Sequence, residues 1–144
     1  MSSRLLRPTF RALRGIPPTT IPIPTRQFRT SSPKMAVQEL KSVEQFNTLI
    51  ASKPLVAIDV WAQWCGPCRF ISPVFEKHSE SDEFKDKIVF AKVDADEVPD
   101  LSQELGVRAM PSFFFFKDGA KVSDLDLVGA DPGRLEKGLK TLIE

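Results

Sequence analysis

Residues 55–69 read LVAIDVWAQWCGPCR. The first seven, Leu55–Trp61, are a nearly continuous apolar run rich in β-forming residues, which predicts a strand buried on both faces. One acid, Asp59, interrupts that run. Just beyond it lie both cysteines of the 144-residue chain, Cys65 and Cys68, with Gly66 and Pro67 between them. From Arg69 to Ser81 the apolar spacing becomes helical, with a bend expected at Pro73. A buried strand that runs into a helix through a Cys-x-x-Cys turn poses the fold question and the chemical question together.

Outward from this stretch, short apolar runs alternate with amphipathic ones. Val37–Leu40 predicts a short strand. Ser42-Val-Glu-Gln45 matches a helix capping box, and Phe46, Leu49 and Ile50 supply the apolar stripe of a helix that stops before Pro54. Ile88–Asp94 predicts a second buried strand, and Pro99–Leu105 a short helix ended by Gly106. Ser112–Lys117 (SFFFFK) predicts a core strand whose rings alternate between the two sides of the sheet. Asp118-Gly119 signals a hairpin into a strand over Lys121–Val128. Asp131-Pro132 starts a final helix with Leu135, Leu139, Leu142 and Ile143 on its inner face. The fold class expected is α/β, a central mixed sheet flanked by helices on both faces. Trp61 is expected in the core, His78 in solvent, and Asp94-Ala-Asp-Glu97 as a loop with a helix cap.

Length allows one domain with a real core. Charge divides the chain. Residues 1–34 hold six arginines, Lys34 and no acid, a charge of +7 against a whole-chain +1, so the remainder carries −6. Six of the twelve prolines fall in the same segment, which therefore cannot propagate a helix beyond Arg4–Gly15 or bury a core. Arg4, Arg7, Arg11 and Arg14 would share one helix face opposite Leu5, Leu6 and Leu13. Arginine-rich, serine-bearing and acid-free is the composition of an organelle transit peptide. Arg26-Gln-Phe-Arg-Thr-Ser31 resembles a mitochondrial processing motif, which places cleavage near Met35. Residues 1–34 are thus expected to be a disordered mitochondrial presequence and residues 35–144 the mature domain. A solvated arm or a nucleic-acid-binding arm are the alternatives, and Met35 offers a second start for a cytoplasmic form. No apolar run approaches the 18 or so residues of a membrane span. The mature domain has neither a glycine-rich phosphate loop nor a basic patch, which argues against nucleotide or nucleic-acid binding.

The cysteine pair could bind a metal, brace the fold or react. A structural zinc site needs four ligands, so two cysteines call for two more Cys or His, and the chain offers only His78. A two-iron cluster meets the same shortage unless two chains share it. A Cys-x-x-Cys bridge closes too short a loop to remove much unfolded-state entropy. What remains is a bond that is made and broken. With Cys65 where a strand ends and a helix starts, unpaired N–H groups and the positive helix end favour its thiolate and make it the nucleophile. Cys68, one turn on, is near enough to attack a mixed disulfide held on Cys65. Gly66 lets a partner approach closely, Pro67 fixes φ at the helix start, and Trp64 is expected beside the reactive sulfur as a flat apolar cover.

Trp64-Cys-Gly-Pro-Cys68, preceded by Asp59-x-Trp61-Ala62, resembles the active site of the thioredoxin family. The resemblance runs from about Val37 to Ile143. Ala109-Met-Pro-Ser112 looks like that family's cis-proline loop, Lys92 matches the lysine near its buried acid, and Pro73 its helix kink. Gly119 and Val128-Gly-Ala130 fall at its late glycine positions. Gly-Pro between the cysteines is similar to the reducing members, where disulfide isomerases carry Gly-His and glutaredoxins Pro-Tyr. Gln63 stands at a variable site, and Ser112 replaces a frequent threonine.

The resemblance implies a monomeric protein-disulfide reductase that binds no cofactor or metal. Its electrons would come from NADPH through a thioredoxin reductase, and its substrates would be disulfide-containing proteins. The redox-active disulfide would be Cys65–Cys68. Asp59, its proton affinity raised by burial, would take the proton from Cys68, with Lys92 tuning it; an acid merely satisfied by Lys92 or a water is the alternative. A cis Pro111 would present the Met110 backbone to an extended substrate held over Trp64, Gly66, Pro67 and Gly129; an ordinary trans turn is the alternative. Two other functions compete: a binding module in which the thiols are incidental, and a dedicated oxidant.

Overall fold

The computed structural model describes residues 36–144 and, before them, only Gly15. The expected presequence and the second start at Met35 lie outside the described residues. The elements run β1 (Val37–Glu39), α1 (Val43–Ser52), β2 (Leu55–Trp61), α2 (Gly66–Glu80), β3 (Val89–Asp94), α3 (Pro99–Leu105), β4 (Ser112–Lys117), β5 (Ala120–Lys121), β6 (Leu127–Val128) and α4 (Pro132–Ile143).

The strands form one mixed sheet in the order β1-β3-β2-β4-β5, with β6 also on β4. β2 is central. It runs parallel to β3 and antiparallel to β4, so both its edges are paired. Its side chains alternate between two cores, as the pleat requires. Val56, Ile58 and Val60 pack with Phe46, Leu49 and Leu101 beneath α1 and α3. Ala57 packs with Ile71, Phe75, Leu135 and Leu139 beneath α2 and α4. The phenylalanines of β4 divide likewise, Phe113 and Phe115 to the second core and Phe114 and Phe116 to the first. This is the thioredoxin fold expected from the sequence.

Local chemistry sets the boundaries. Ser42 caps α1 by accepting the Gln45 N–H at 3.2 Å, and Gln45 Oε1 accepts the Lys41 N–H at 2.8 Å. Asp131 caps α4 by accepting the Arg134 N–H at 3.0 Å. Asp118 and Gly119 both take positive φ, 52° and 81°, the conformation of a tight two-residue hairpin. The strand expected over Lys121–Val128 is broken, however. β5 and β6 pair opposite ends of β4, and a 3-10 turn at Ser123–Leu125 lies between them. An edge strand has one neighbour only, and Ser123, Asp124 and Asp126 favour local turns over a ladder.

α2 is held to the sheet chiefly by Phe75, whose ring meets Phe90 at 5.1 Å and Phe113 at 5.6 Å between centroids. Phe75→Ala should lower the unfolding free energy by about 3–5 kcal/mol. Chemical denaturation of the oxidised protein would register this as a lower midpoint at unchanged slope.

Candidate active site

β2 ends at Trp61, and Ala62–Trp64 turn the chain before Cys65. The Cys65 N–H donates to the Ala62 carbonyl at 3.1 Å. Cys65 is the N-cap of α2, and its Sγ accepts the Cys68 N–H at 3.2 Å. The helix therefore starts at Gly66, three residues before the sequence pattern predicted, because the Cys-Gly-Pro-Cys turn carries no apolar period. A sulfur at this cap meets unpaired N–H groups and the positive helix end, both of which favour a thiolate when the pair is reduced. Cys65 and Cys68 are joined by a disulfide and are only 4% and 1% exposed. Trp61 and Met110 pack against them.

The surroundings divide into a rim and a floor. On the rim, Gly66 and Pro67 are exposed and Trp64 is 69% exposed. The Trp64 indole N–H donates to Asp96 Oδ2 at 3.0 Å, which fixes the ring over the surface. The Met110–Pro111 bond is cis, and the Gly129 N–H donates to the Pro111 carbonyl at 2.9 Å. In the floor lies Asp59, 1% exposed. Its Oδ2 accepts the Ser72 hydroxyl at 2.9 Å, while its Oδ1 has no hydrogen-bond partner among the described residues. Desolvation raises the Asp59 pKa to about 7; the Ser72 hydrogen bond and Lys92 oppose the rise and Glu76 adds to it. Lys92 sits opposite Asp59 in the β2–β3 register, with its Nζ 4.0 Å from Glu76 Oε1. Asp59, Cys68, Ser72, Glu76 and Lys92 all line one cavity of about 280 Å³.

Cys65 thus caps the helix that carries Cys68, and a buried carboxylate lines the same cavity as Cys68. The thioredoxin family model matches residues 37–141. Thioredoxin from Malassezia sympodialis is 48% identical over 103 residues, spanning 72% of this chain and 95% of its own. The crystal structure of that species' thioredoxin superposes with a TM-score of 0.70 at 45% identity, covering 75% of this chain and 91% of the other.

The chain belongs to the thioredoxin family. Oxidised mitochondrial thioredoxin 3 from Saccharomyces cerevisiae is also similar, with a TM-score of 0.67 at 36% identity over 74% of this chain and 96% of that one. As a thioredoxin-family member with its cysteines paired at the motif, the chain is a thiol–disulfide oxidoreductase. The redox group of this family is the cysteine pair itself, not a bound cofactor. Among the described residues no cluster of three or more His, Cys, Asp or Glu could hold a metal ion.

Several neighbours of the pair were not legible in the sequence. Ser72 reads as one more polar residue on a helix, and Asp96 as part of an acidic loop. Trp61, expected in the core, is only half-buried: it forms a wall of the cavity, with Lys92 Nζ 5.8 Å from the centre of its ring. His78, expected in solvent, is half-buried edge-on to Phe84. The acidic run does not cap α3, whose N-cap Val98 makes no side-chain bond; Asp94 instead accepts the Asp96 N–H at 2.9 Å.

The raised pKa of Asp59 couples stability to pH. Between the ordinary aspartate value and about 7 the folded state binds the proton that the unfolded state has released, so the penalty of burying Asp59 grows as pH rises. Asp59→Asn should therefore stabilise the oxidised protein, by about 2–3 kcal/mol more at pH 8 than at pH 5. Denaturant titrations of both proteins at the two pH values measure that difference.

Proposed function

We propose that the chain is a protein-disulfide reductase whose reduced form opens substrate disulfides by two-step exchange. The Cys65 thiolate attacks a substrate disulfide and forms a mixed disulfide. Cys68 then attacks Cys65, Asp59 takes the Cys68 proton, Lys92 tunes Asp59, and the substrate leaves reduced. The observation that carries this reading is the Cys65 sulfur at the cap of α2, 3.2 Å from the Cys68 N–H. A sulfur so held favours the thiolate, the form that attacks a disulfide.

The substrate lies across Trp64, Gly66, Pro67, Met110, Pro111 and Gly129. The packing of Met110 against the cysteines and the Gly129–Pro111 hydrogen bond at 2.9 Å support this rim as one surface. Electrons return from NADPH through a thioredoxin reductase, and the chain works as a monomer. Residues 1–34 serve as a mitochondrial presequence before a thioredoxin domain at 35–144. The acid-free, arginine-rich composition of that segment supports a mitochondrial matrix location, and so does the similarity to a mitochondrial yeast thioredoxin.

Coupled turnover with NADPH, a thioredoxin reductase and insulin is the direct test. Cys65→Ser should reduce insulin no faster than buffer, and Cys68→Ser should accumulate a mixed disulfide through Cys65. Full activity in Cys65→Ser would favour a binding module instead. Amino-terminal sequencing of protein isolated from mitochondria should find a start near Met35; retention of residues 1–34 there would contradict the presequence.

A further inference from the structure

We infer that Ser72 is a positioning residue for the resolving step: its hydroxyl, donated to Asp59 Oδ2, fixes the buried carboxylate and leaves Oδ1 to take the Cys68 proton. The inference rests on the reading of Asp59 as proton acceptor.

A serine inside a helix ordinarily bonds a carbonyl three or four residues back. Ser79 and Ser102 do so, donating to the Glu76 and Val98 carbonyls. Ser72 had such an acceptor available, because Pro73 has no N–H to offer the Arg69 carbonyl. It reaches instead across to β2, thirteen residues away in sequence, at 2.9 Å from Asp59 Oδ2. Ser72 is also four residues beyond Cys68, and so lies on the same helix face. One face of α2 thus carries the proton donor and the group that orients the acceptor. Oδ1 is the carboxylate oxygen without a partner among the described residues, and Asp59, Ser72 and Cys68 line one cavity.

The charged groups facing Asp59 are few. Lys92 comes from β3, with Glu39 of β1 opposite it in register, and Glu76 and Arg69 come from α2. From β4 the register partner is Phe113, which carries no charge. Among the described residues Ser72 is the one group that donates a hydrogen bond to the carboxylate. Such a bond favours the charged, proton-accepting form and opposes the desolvation that disfavours it.

In the resolving step the Cys65–Cys68 sulfur bond forms and the bond from Cys65 to the partner sulfur breaks. The electron pair leaves on the partner sulfur, and the proton of Cys68 passes to Asp59 Oδ1. Without the Ser72 hydroxyl, Asp59 holds its own proton to higher pH and the step waits for a more alkaline solution.

The step can be followed in the reduced full-length protein as release of the second thionitrobenzoate after reaction with its symmetric disulfide. Ser72→Ala should move the pH midpoint of that release upward by roughly one unit, about a tenfold loss of rate well below the midpoint. Ser72→Thr, which keeps the hydroxyl, should restore the wild-type midpoint. In an Asp59→Asn background Ser72→Ala should change nothing further. If Asp59→Asn leaves release as fast as wild type at every pH, the proton-acceptor reading of Asp59 fails. If Asp59→Asn slows release but Ser72→Ala keeps the wild-type midpoint, or shifts it equally in the Asn background, the role of Ser72 alone is overturned.

Discussion

β2 is paired along both edges and covered on both faces, so a carboxylate within it is largely withdrawn from solvent. Asp59 occupies that position at 1% exposure. Burying an ionised carboxylate costs several kcal/mol unless its charge is compensated, and here the compensation is partial. One oxygen receives a hydroxyl, the other has no partner among the described residues, and Lys92 lies on the neighbouring strand without bonding it. The group responds by holding its proton up to about pH 7. A residue that is costly to the fold becomes one that can exchange a proton near neutrality.

The same strand decides where the cysteines stand. Because β2 stops at Trp61 and α2 starts at Gly66, the turn between them sits at the carboxyl end of the sheet, and Cys65 falls on the helix cap. The cap favours negative charge on sulfur, while the floor beneath resists negative charge on Asp59. These opposing tendencies separate the two groups by role. Charge is favoured on the sulfur at the helix cap, and a proton on the carboxyl below. Trp64 and Asp96, bonded at 3.0 Å, hold the rim beside them.

Much of this fold was legible because its strands are apolar runs with clear punctuation. Leu55–Trp61 and Ser112–Lys117 are bounded by proline, glycine or the cysteine turn, and Pro99–Leu105 by proline and glycine; all three ranges match the structure. The edge strand over Lys121–Val128 did not read correctly, since a single neighbour cannot overrule turn-forming Ser123 and Asp124. Within the site, Cys65, Cys68 and Asp59 stood out because each is chemically exceptional in its local pattern. Ser72 did not, because a helical serine looks alike whether its hydroxyl meets water, a carbonyl or a carboxylate thirteen residues away in the chain. Its partner is set by how α2 crosses β2, and Phe75, Phe90 and Phe113 fix that crossing.

The proposed reductase needs a thiolate favoured enough to attack and not so favoured that the reduced pair becomes inert. The equilibrium reduction potential of Cys65–Cys68 at pH 7 tests it most directly. A value near about −270 mV, the range of reducing thioredoxins, is the result expected. A value near about −120 mV, the range of dedicated oxidants, would contradict the account.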